Sequence, residues 1–424
     1  MTNLTTTERV ATLSRSCRLC GSEVTATLVD LGKSPLCESF LTEEQLDEPE
    51  AFYPLHVRIC GECVLAQLDV LVATSEIFTD YAYFSAYSDS WVAHAAAYCD
   101  LVRDRFELDE QSFVIELASN DGYLLQHFVA AGIPSLGIDP AANVAREAEE
   151  RGVETVIDFF DSNLARRLVE EGTQADLVVA NNVLAQVPAL NDFIAGVEII
   201  LRPGGVLTVE VPHIVRLVEE LQFDTIYHEH FSYFSLTSLA RLLRQNGLEV
   251  FDVEQLLSHG GSLRVYACRI GDPTHTIQPS VEALLEAEHR GGYDSLEGYR
   301  GFDGRVEEVK WSLLDFLITL RRRGSSVVGY GAPGKGNTLL NYCGIRTDLL
   351  EYTVDRNPHK QGMFLPGTQI PIHSPDMLAN TRPEYILILP WNLQSEIAAQ
   401  LEYVREWGAQ LVVPIPKPQV LSWP

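Results

Sequence analysis

From Ser112 onward the chain alternates short apolar runs with amphipathic stretches. SFVIELA (112–118) reads as a buried strand, Ser119-Asn120-Asp121-Gly122 as a turn, and YLLQHFVAAG as a helix. SLGID, TVID, ADLVVAN and GGVLTVEVP supply four more strands, the last entered through the turn residues RPGG, with the helix AANVAREAEERG after SLGID. Strands alternating with helices at this spacing predict a parallel, doubly wound sheet. A second α/β pattern begins near Ile270. It has a helical stretch over Val281 to Arg323, the strand SSVVGY, a glycine-rich turn (Gly329 to Asn337) and the helix TLLNYCG. A strand ending at Asp355 follows, then two more in RPEYILILPWN and QLVVPIPKP. Ahead of the first sheet lie a Tyr-rich stretch (DYAYFSAYSDSW) and the helical pattern WVAHAAAYCDLVRDRF.

A chain of 424 residues exceeds one ordinary core, so two or three domains are expected. With 46% hydrophobic residues, 21 Pro and 29 Gly it reads as globular. The formal net charge of −28 argues against nucleic-acid binding and against anionic membranes, and leaves an anionic substrate to a local basic pocket. The first residues lack a basic-then-apolar signal layout, and no apolar run approaches transmembrane length, so a cytoplasmic location is expected. In a reducing compartment the 8 Cys are better candidates for metal than for disulfides.

Cys17-Arg-Leu-Cys20-Gly and Cys60-Gly-Glu-Cys63 are two C-x-x-C knuckles. Each directs two thiolates at one ion, and four thiolates satisfy tetrahedral Zn²⁺ with no open position, so the site is structural. Cys37, between them, reads as a packed thiol, with a spare ligand as the alternative. The intervening TEEQLDEPE is acidic, which turns the reading from a nucleic-acid ribbon to a zinc-stapled domain that packs on the rest or walls a cleft.

Ligands of doubly wound sheets bind at the carboxyl ends of the strands. Glu116, Ser119, Asn120, Asp121 and Gly122 fall at the end of the first strand, Asp139 at the second, Asp158 at the third, and Asn181-Asn182 at the fourth. Asp139 is placed to accept from ribose hydroxyls. With one glycine in place of a G-x-G-x-x-G run, the first turn suits a cationic, amino-acid-bearing nucleoside, S-adenosylmethionine, better than a pyrophosphate. The turn Gly329-Tyr-Gly331-Ala-Pro-Gly334-Lys335-Gly336-Asn337 does match G-x-G-x-x-G, with an acid about twenty residues later, and alone would indicate NAD. A glycine-rich turn with a lysine at a helix start equally suits a diphosphate. Between the sheets, Tyr227-His228-Glu229-His230-Phe231-Ser232-Tyr233 follows a strand-like run and packs two histidines, a carboxylate and two phenols together. Such groups can remove a proton and stabilise an oxyanion. His213 reads as structural.

In this order the chain resembles the S-adenosylmethionine-dependent nucleotide-sugar C-methyltransferases acting on 4-keto-6-deoxy sugars. The resemblance rests on the paired knuckles, ELASNDGYLLQ, GIDPAAN, NNVLAQVP, YHEHFSYFS, SHGGSLRVY and GYGAPGKGNTLLNYCG. It implies an α/β fold in three domains: a zinc-binding domain (11–72), a Rossmann-like S-adenosylmethionine-binding domain (73–269) and a second Rossmann-like domain (270–424) that helps hold the nucleotide-sugar. It implies Cys17, Cys20, Cys60 and Cys63 as zinc ligands, the Ser119–Gly122 turn and Asp139 as cofactor site, and His230, Tyr227 and Glu229 as the catalytic cluster. Tyr83, or Tyr81, matches a pocket tyrosine. Gly329, Gly331, Lys335, Asn337, His259 and Arg264 then face the nucleotide-sugar. His230 is expected as the base that forms an enolate, Glu229 as its orienting partner, and Tyr227 or His228 as donor to the enolate oxygen. The family commonly carries a histidine where this chain has Gln186, which hydrogen-bonds but does not titrate. The expected reaction is methylation at C3 of a dTDP-4-keto-deoxy sugar, of the kind that builds branched deoxysugars for antibiotics, by a monomer or homodimer. C5 methylation, O- or N-methyl transfer, an NAD-dependent oxidoreductase and a non-catalytic zinc adaptor are the alternatives.

Overall fold

The computed structural model describes residues 11–73, 77 and 89–423. Near the start, β1 (Ala11–Leu13), β2 (Ala26–Ser34), β3 (Tyr53–Ile59), β4 (Ala66–Leu68) and β5 (Val70–Val72) form antiparallel pairs, β1 with β5 and β2-β3-β4 as a ladder. Along β3 the buried Leu55, Val57 and Ile59 alternate with partly exposed residues, so one face is turned to the core.

After α1 (Asp89–Arg105) the chain builds β6 (Val114–Leu117), α2 (Leu125–Ala130), β7 (Ser135–Ile138), α3 (Ala142–Glu150), β8 (Thr155–Val156), α4 (Ser162–Glu170), β9 (Ala175–Asn181), α5 (Leu190–Ile200) and β10 (Leu201–Pro212). These strands are buried on both faces because helices cover both sides, which is why they read as continuous apolar runs. Asp161 caps α4 by accepting from the Asn163 and Leu164 amides at 2.9 and 2.7 Å, a contact that contributes about 1 kcal/mol. Gly122 has φ +75, and a Cβ there would lie 3.2 Å from Ala148 of α3. Only glycine lets this turn lie so close to the helix.

The chain continues through α6 (Ile214–Glu219), β11 (Ser232–Tyr233), α7 (Leu236–Gln245), β12 (Leu248–Leu256) and β13 (Ser262–Arg269). The large sheet has the order β12-β13-β10-β9-β6-β7-β8. The five expected strands are parallel, but the sheet is mixed: β13 runs antiparallel to β10, and β12 to β13. Only the short turn 257–261 joins β12 to β13, and so short a link cannot cross over to make a parallel pair. The strand order reverses at β6, leaving a crevice between the turns after β6 and β9. The residues before Tyr227 are not a strand. They are α6 and a 3₁₀ turn at Phe223–Thr225.

The last third holds α8 (Pro279–Arg290), α9 (Phe302–Arg322), β14 (Val327–Tyr330), α10 (Gly334–Cys343), β15 (Thr353–Val354), β16 (Ile372–His373), α11 (Asp376–Thr381), β17 (Tyr385–Ile388), α12 (Gln394–Gln400), β18 (Gln410–Val413) and β19 (Gln419–Val420). The expected helix from Val281 to Arg323 is therefore two, because Gly292 and Gly301 take left-handed φ values of +75 and +70 between them. The sheet order is β16-β15-β14-β17-β18-β19, parallel except for β19, with its crevice between the turns after β14 and β17.

Two apolar layers tie these parts together. Leu19, Cys60 and Leu65 pack with the β6–β10 sheet and α7, while Leu28 and Val57 pack with Leu313 of α9 and Leu339 of α10. Each such buried aliphatic side chain stabilises by about 2 kcal/mol. Among the described residues no helix is long and apolar enough to cross a membrane.

Candidate active site

One cavity of about 830 Å³ spans the carboxyl ends of both α/β sheets. Its first wall carries Asn120, Asp139, Asp158, Asn181 and Asn182. Asp139 ends β7 and accepts the Asn120 and Ala141 amides, both at 2.9 Å. Burial raises its pKa, and the two amides oppose that shift. Asn181 Oδ1 and both side-chain polar atoms of Asn182 have no protein partner, so they are available to a ligand with donors and acceptors. Asp158 stands at the rim, paired with Arg167 at 3.1 Å. Adenosine and a sulfonium cation fit this acidic, amide-bearing wall. Trp91 and Tyr123, which the sequence reading did not single out, also line it, their rings stacked 6.1 Å apart.

Four of the expected cofactor residues stand behind this wall rather than on it. Glu116 is buried, and burial, then Asp139 and Asp121, raise its pKa well above the carboxylate range. Ser119 points into β7, where a Cβ on Gly137 would meet its hydroxyl. Asp121 turns to Arg151, 3.6 Å away, and Gly122 packs on α3.

The floor is the Tyr227–His230 segment. His230 Nδ1 donates to the Thr225 carbonyl at 3.1 Å, which fixes the tautomer and leaves Nε2 as an acceptor. Burial lowers the His230 pKa to about 4, the Thr225 bond opposes this, and Lys335 lowers it further, so the ring is neutral at pH 7. The Tyr227 ring lies 4.2 Å from the His230 ring, centroid to centroid. Burial, then Glu229, push its phenol well above the usual range, so it remains a neutral donor. Gln186 also lines the cavity. His228 does not: its Nε2 donates to the Pro54 carbonyl at 3.3 Å, which takes it out of contention as donor to an enolate. Tyr81 and Tyr83 lie outside the described residues.

Cys37 lies apart from the knuckles and lines the cavity, donating to Glu229 Oε1 at 3.3 Å. A Cβ on Gly334 would stand 3.0 Å from its sulfur, so glycine at 334 is what admits the thiol. Burial, then Glu229, push the thiol pKa well up and keep it a neutral donor.

The opposite wall comes from the last third. α10 begins at Gly334, which places Lys335 in its first turn. Lys335 Nζ donates to the His259 carbonyl at 3.3 Å and to Asn392 Oδ1 at 3.2 Å, and lies 5.0 Å from the Trp391 ring. Burial lowers its pKa to about 8, with Asp224 holding it up. Gly331, His259, Asp355, Arg356 and Lys360 also line the cavity. Asp355 braces the glycine turn by accepting the Ala332 amide at 2.7 Å. Lys360 pairs with Glu38 at 3.1 Å. Burial works against its charge, but Glu38 and Asp355 outweigh burial and raise its pKa. Three expected substrate residues are elsewhere. Gly329 is inside β14 and Asn337 is buried in α10. Arg264 is buried in ion pairs with Glu210 at 2.6 Å and Glu254 at 3.2 Å. His213 is buried against Glu288 at 2.9 Å.

Cys17, Cys20, Cys60 and Cys63 bring their sulfurs within 4.8 Å of one another, with Cys17–Cys63 at 3.4 Å and Cys20–Cys60 at 3.6 Å. A tetrahedral ion with sulfur ligands at about 2.3 Å has edges of about 3.8 Å, so the four thiols fit zinc and close its coordination.

Three family models match in order along the chain: "Putative zinc binding domain" over residues 17–78, "Methyltransferase domain" over 91–253 and "C-methyltransferase C-terminal domain" over 257–416. The chain is 36% identical over 406 residues to the C-methyltransferase NovU of Streptomyces niveus, covering 96% of each. Similar solved structures include the PH0226 protein of Pyrococcus horikoshii, 16% identical with TM-score 0.37, which spans 46% of this chain and 98% of that one. An S-adenosylmethionine-dependent methyltransferase of Clostridium acetobutylicum is 13% identical with TM-score 0.35, over 44% and 94%.

Proposed function

The chain belongs to the C-methyltransferases that join a zinc-binding domain to a methyltransferase domain and a C-methyltransferase C-terminal domain, and on that premise we propose that its acceptor is a carbon beside the ketone of a dTDP-linked 4-keto-deoxy sugar, with C3 favoured over C5. The enzyme is S-adenosylmethionine-dependent and carries structural zinc. One observation carries the reading of the acceptor: a single cavity holds an acidic, amide-bearing wall, the Tyr227–Glu229–His230 floor, and a facing wall with Lys335 and Arg356. The first wall suits the methyl donor, and Lys335 and Arg356 on the facing wall suit the diphosphate of a nucleotide-sugar. The ends of β5 at Val72 and β13 at Arg269 support units of 11–72, 73–269 and 270–424. We place the reaction in the cytoplasm.

A carbon next to a ketone is acidic enough for a positioned base. In the proposed step, the C3 proton passes to His230 Nε2, its electrons enter the C3–C4 bond, and the ketone oxygen becomes an enolate. Tyr227 donates to that oxygen, a bond that strengthens as charge develops. The cofactor supplies an electrophilic methyl group on sulfur. Held by Asn120, Asp139, Asn181 and Asn182, it would present that methyl to the enolate carbon, with S-adenosylhomocysteine as the co-product. An imidazolium forming beside an enolate is stabilised by it, typically by one to three pKa units, which offsets the low resting pKa of about 4. Glu229, held by the Cys37 thiol, orients the site. Gln186 binds the sugar without taking a proton.

The test is incubation with dTDP-4-keto-6-deoxyglucose and methyl-¹³C S-adenosylmethionine, with the labelled carbon located by NMR. A methyl group on C3 is the expected result. A methyl on C5 moves the position, and one on oxygen or nitrogen removes the enolate mechanism.

A further inference from the structure

The knuckle that carries Cys17 and Cys20 also reaches the catalytic loop. Arg18 stands between these two cysteines. Its guanidinium donates through Nη1 to the Phe231 carbonyl at 2.5 Å and through Nη2 to the Leu68 carbonyl at 2.7 Å, and lies 6.0 Å from the Phe231 ring centroid. Phe231 is the chain neighbour of His230, and its carbonyl also accepts the Leu68 amide at 3.0 Å. The next two residues are β11, the edge strand of the knuckle's own sheet, with Ser232 opposite Gln67. Gln67 in turn grips the knuckle, accepting the Arg18 amide at 2.9 Å and donating to the Ser16 carbonyl at 3.1 Å. On the far side, Asn191 at the start of α5 donates to the carbonyls of Arg18 and Leu19, both at 3.0 Å. The knuckle is thus anchored to α5 of the methyltransferase domain on one side and grips the catalytic loop on the other.

Burying a guanidinium is costly unless it is well bonded. Here two backbone carbonyls, of Phe231 and Leu68, accept from it. A four-thiolate zinc centre is anionic, and Arg18 is the cation built into the same turn. Its planar fork pre-organises two donors for two fixed acceptors, which a flexible lysine does less well.

We infer that Arg18 is a positioning residue for proton removal: the zinc knuckle fixes the backbone beside His230 through it. The inference rests on His230 as the base. A misplacement of about 1 Å at a reacting group costs roughly a hundredfold in rate, so a small shift of this loop is expected to act on turnover more than on binding.

The experiment compares Arg18→Met, Arg18→Lys and His230→Ala in the full zinc-loaded chain. Each variant is measured for zinc content, S-adenosylhomocysteine affinity, amide exchange of peptides over 227–233, and kcat and KM with dTDP-4-keto-6-deoxyglucose. Arg18→Met is expected to keep its zinc and bind S-adenosylhomocysteine within about twofold of the unaltered chain. Its 227–233 amides exchange about tenfold faster while those of α5 are unchanged, and kcat falls roughly 10- to 100-fold with KM within about threefold. Arg18→Lys lies between. Unaltered loop exchange with kcat within about twofold overturns the inference, and so does joint loss of zinc and of S-adenosylhomocysteine binding, which confines Arg18 to folding. If Arg18→Met is insoluble, Arg18→Lys decides, and full activity there overturns it. An active His230→Ala removes the base instead, and the loop exchange of Arg18→Met still decides positioning.

Discussion

His230 Nδ1 donates to the Thr225 carbonyl at 3.1 Å, so the ring offers the cavity the lone pair of Nε2. A variant without that lone pair is expected to lose proton removal and to keep the fold around it. His230→Ala is expected to lower methyl transfer by roughly 10²- to 10⁴-fold while S-adenosylhomocysteine binds as before. Steady-state kinetics and calorimetric titration together check this, and loss of both would mean the site had collapsed.

The pH profile should carry two limbs with assigned owners. His230 is lowered by burial to about 4, so it is neutral and able to accept a proton at all higher pH, and activity is lost only as pH falls through about 4. Lys335 is lowered by burial to about 8, so the cation proposed to face the diphosphate is present below that value and lost as pH rises through it. The predicted kcat/KM profile is therefore flat between these limits. Asp224 holds the Lys335 pKa up, so Asp224→Asn should move the alkaline limb to lower pH. A limb that does not move would assign it to another group.

The zinc site should be separable from chemistry by metal content. Cys60→Ser breaks a closed four-sulfur set, and structural zinc supplies about 10–16 kcal/mol, comparable to a whole domain's stability. The variant is expected to retain well under half of its zinc and to lose cooperative unfolding of the first sheet. Metal analysis and thermal unfolding monitored by circular dichroism are the readouts, and full zinc in Cys60→Ser would refute the ligand set.

Cofactor choice can be decided by melting. At about a hundred times its Kd, a ligand bound only by the folded chain adds about 2.7 kcal/mol. S-adenosylhomocysteine should raise Tm, and Asp139→Asn should reduce that rise, because its carboxylate lines the cavity on the wall proposed for the cofactor. NAD should leave Tm unchanged. A rise with NAD and none with S-adenosylhomocysteine would give the glycine turn at Gly329–Gly334 the leading role.

The parallel strands β6 to β10, and β14, β15, β17 and β18, were legible because each is a short apolar run closed by turn residues, and the knuckles because sulfur pairs at that spacing have few uses; β12, β13, β16 and β19 were not read. Side-chain direction was not legible. Arg264 lies in SHGGSLRVY beside His259, yet the pleat of β13 sends it to Glu210, while His259 faces the cavity. His228 and His230 are two apart in the sequence and turn to different partners, Pro54 and Thr225. Cys37 and Lys360 reach the cavity only because β2 packs against α9 and α10, a contact between residues far apart in the chain that no local pattern encodes. The pairing of β11 with β4 is as remote and only two residues long, so it left no periodic signal.

The central claim is that His230 removes a proton from the carbon beside the ketone. Its most direct test is incubation of the protein with dTDP-4-keto-6-deoxyglucose and S-adenosylhomocysteine in D₂O, with the sugar examined by NMR. Deuterium is expected at C3, with exchange lost in His230→Ala. Exchange that continues unchanged in His230→Ala, or no exchange with the unaltered chain, would contradict the account.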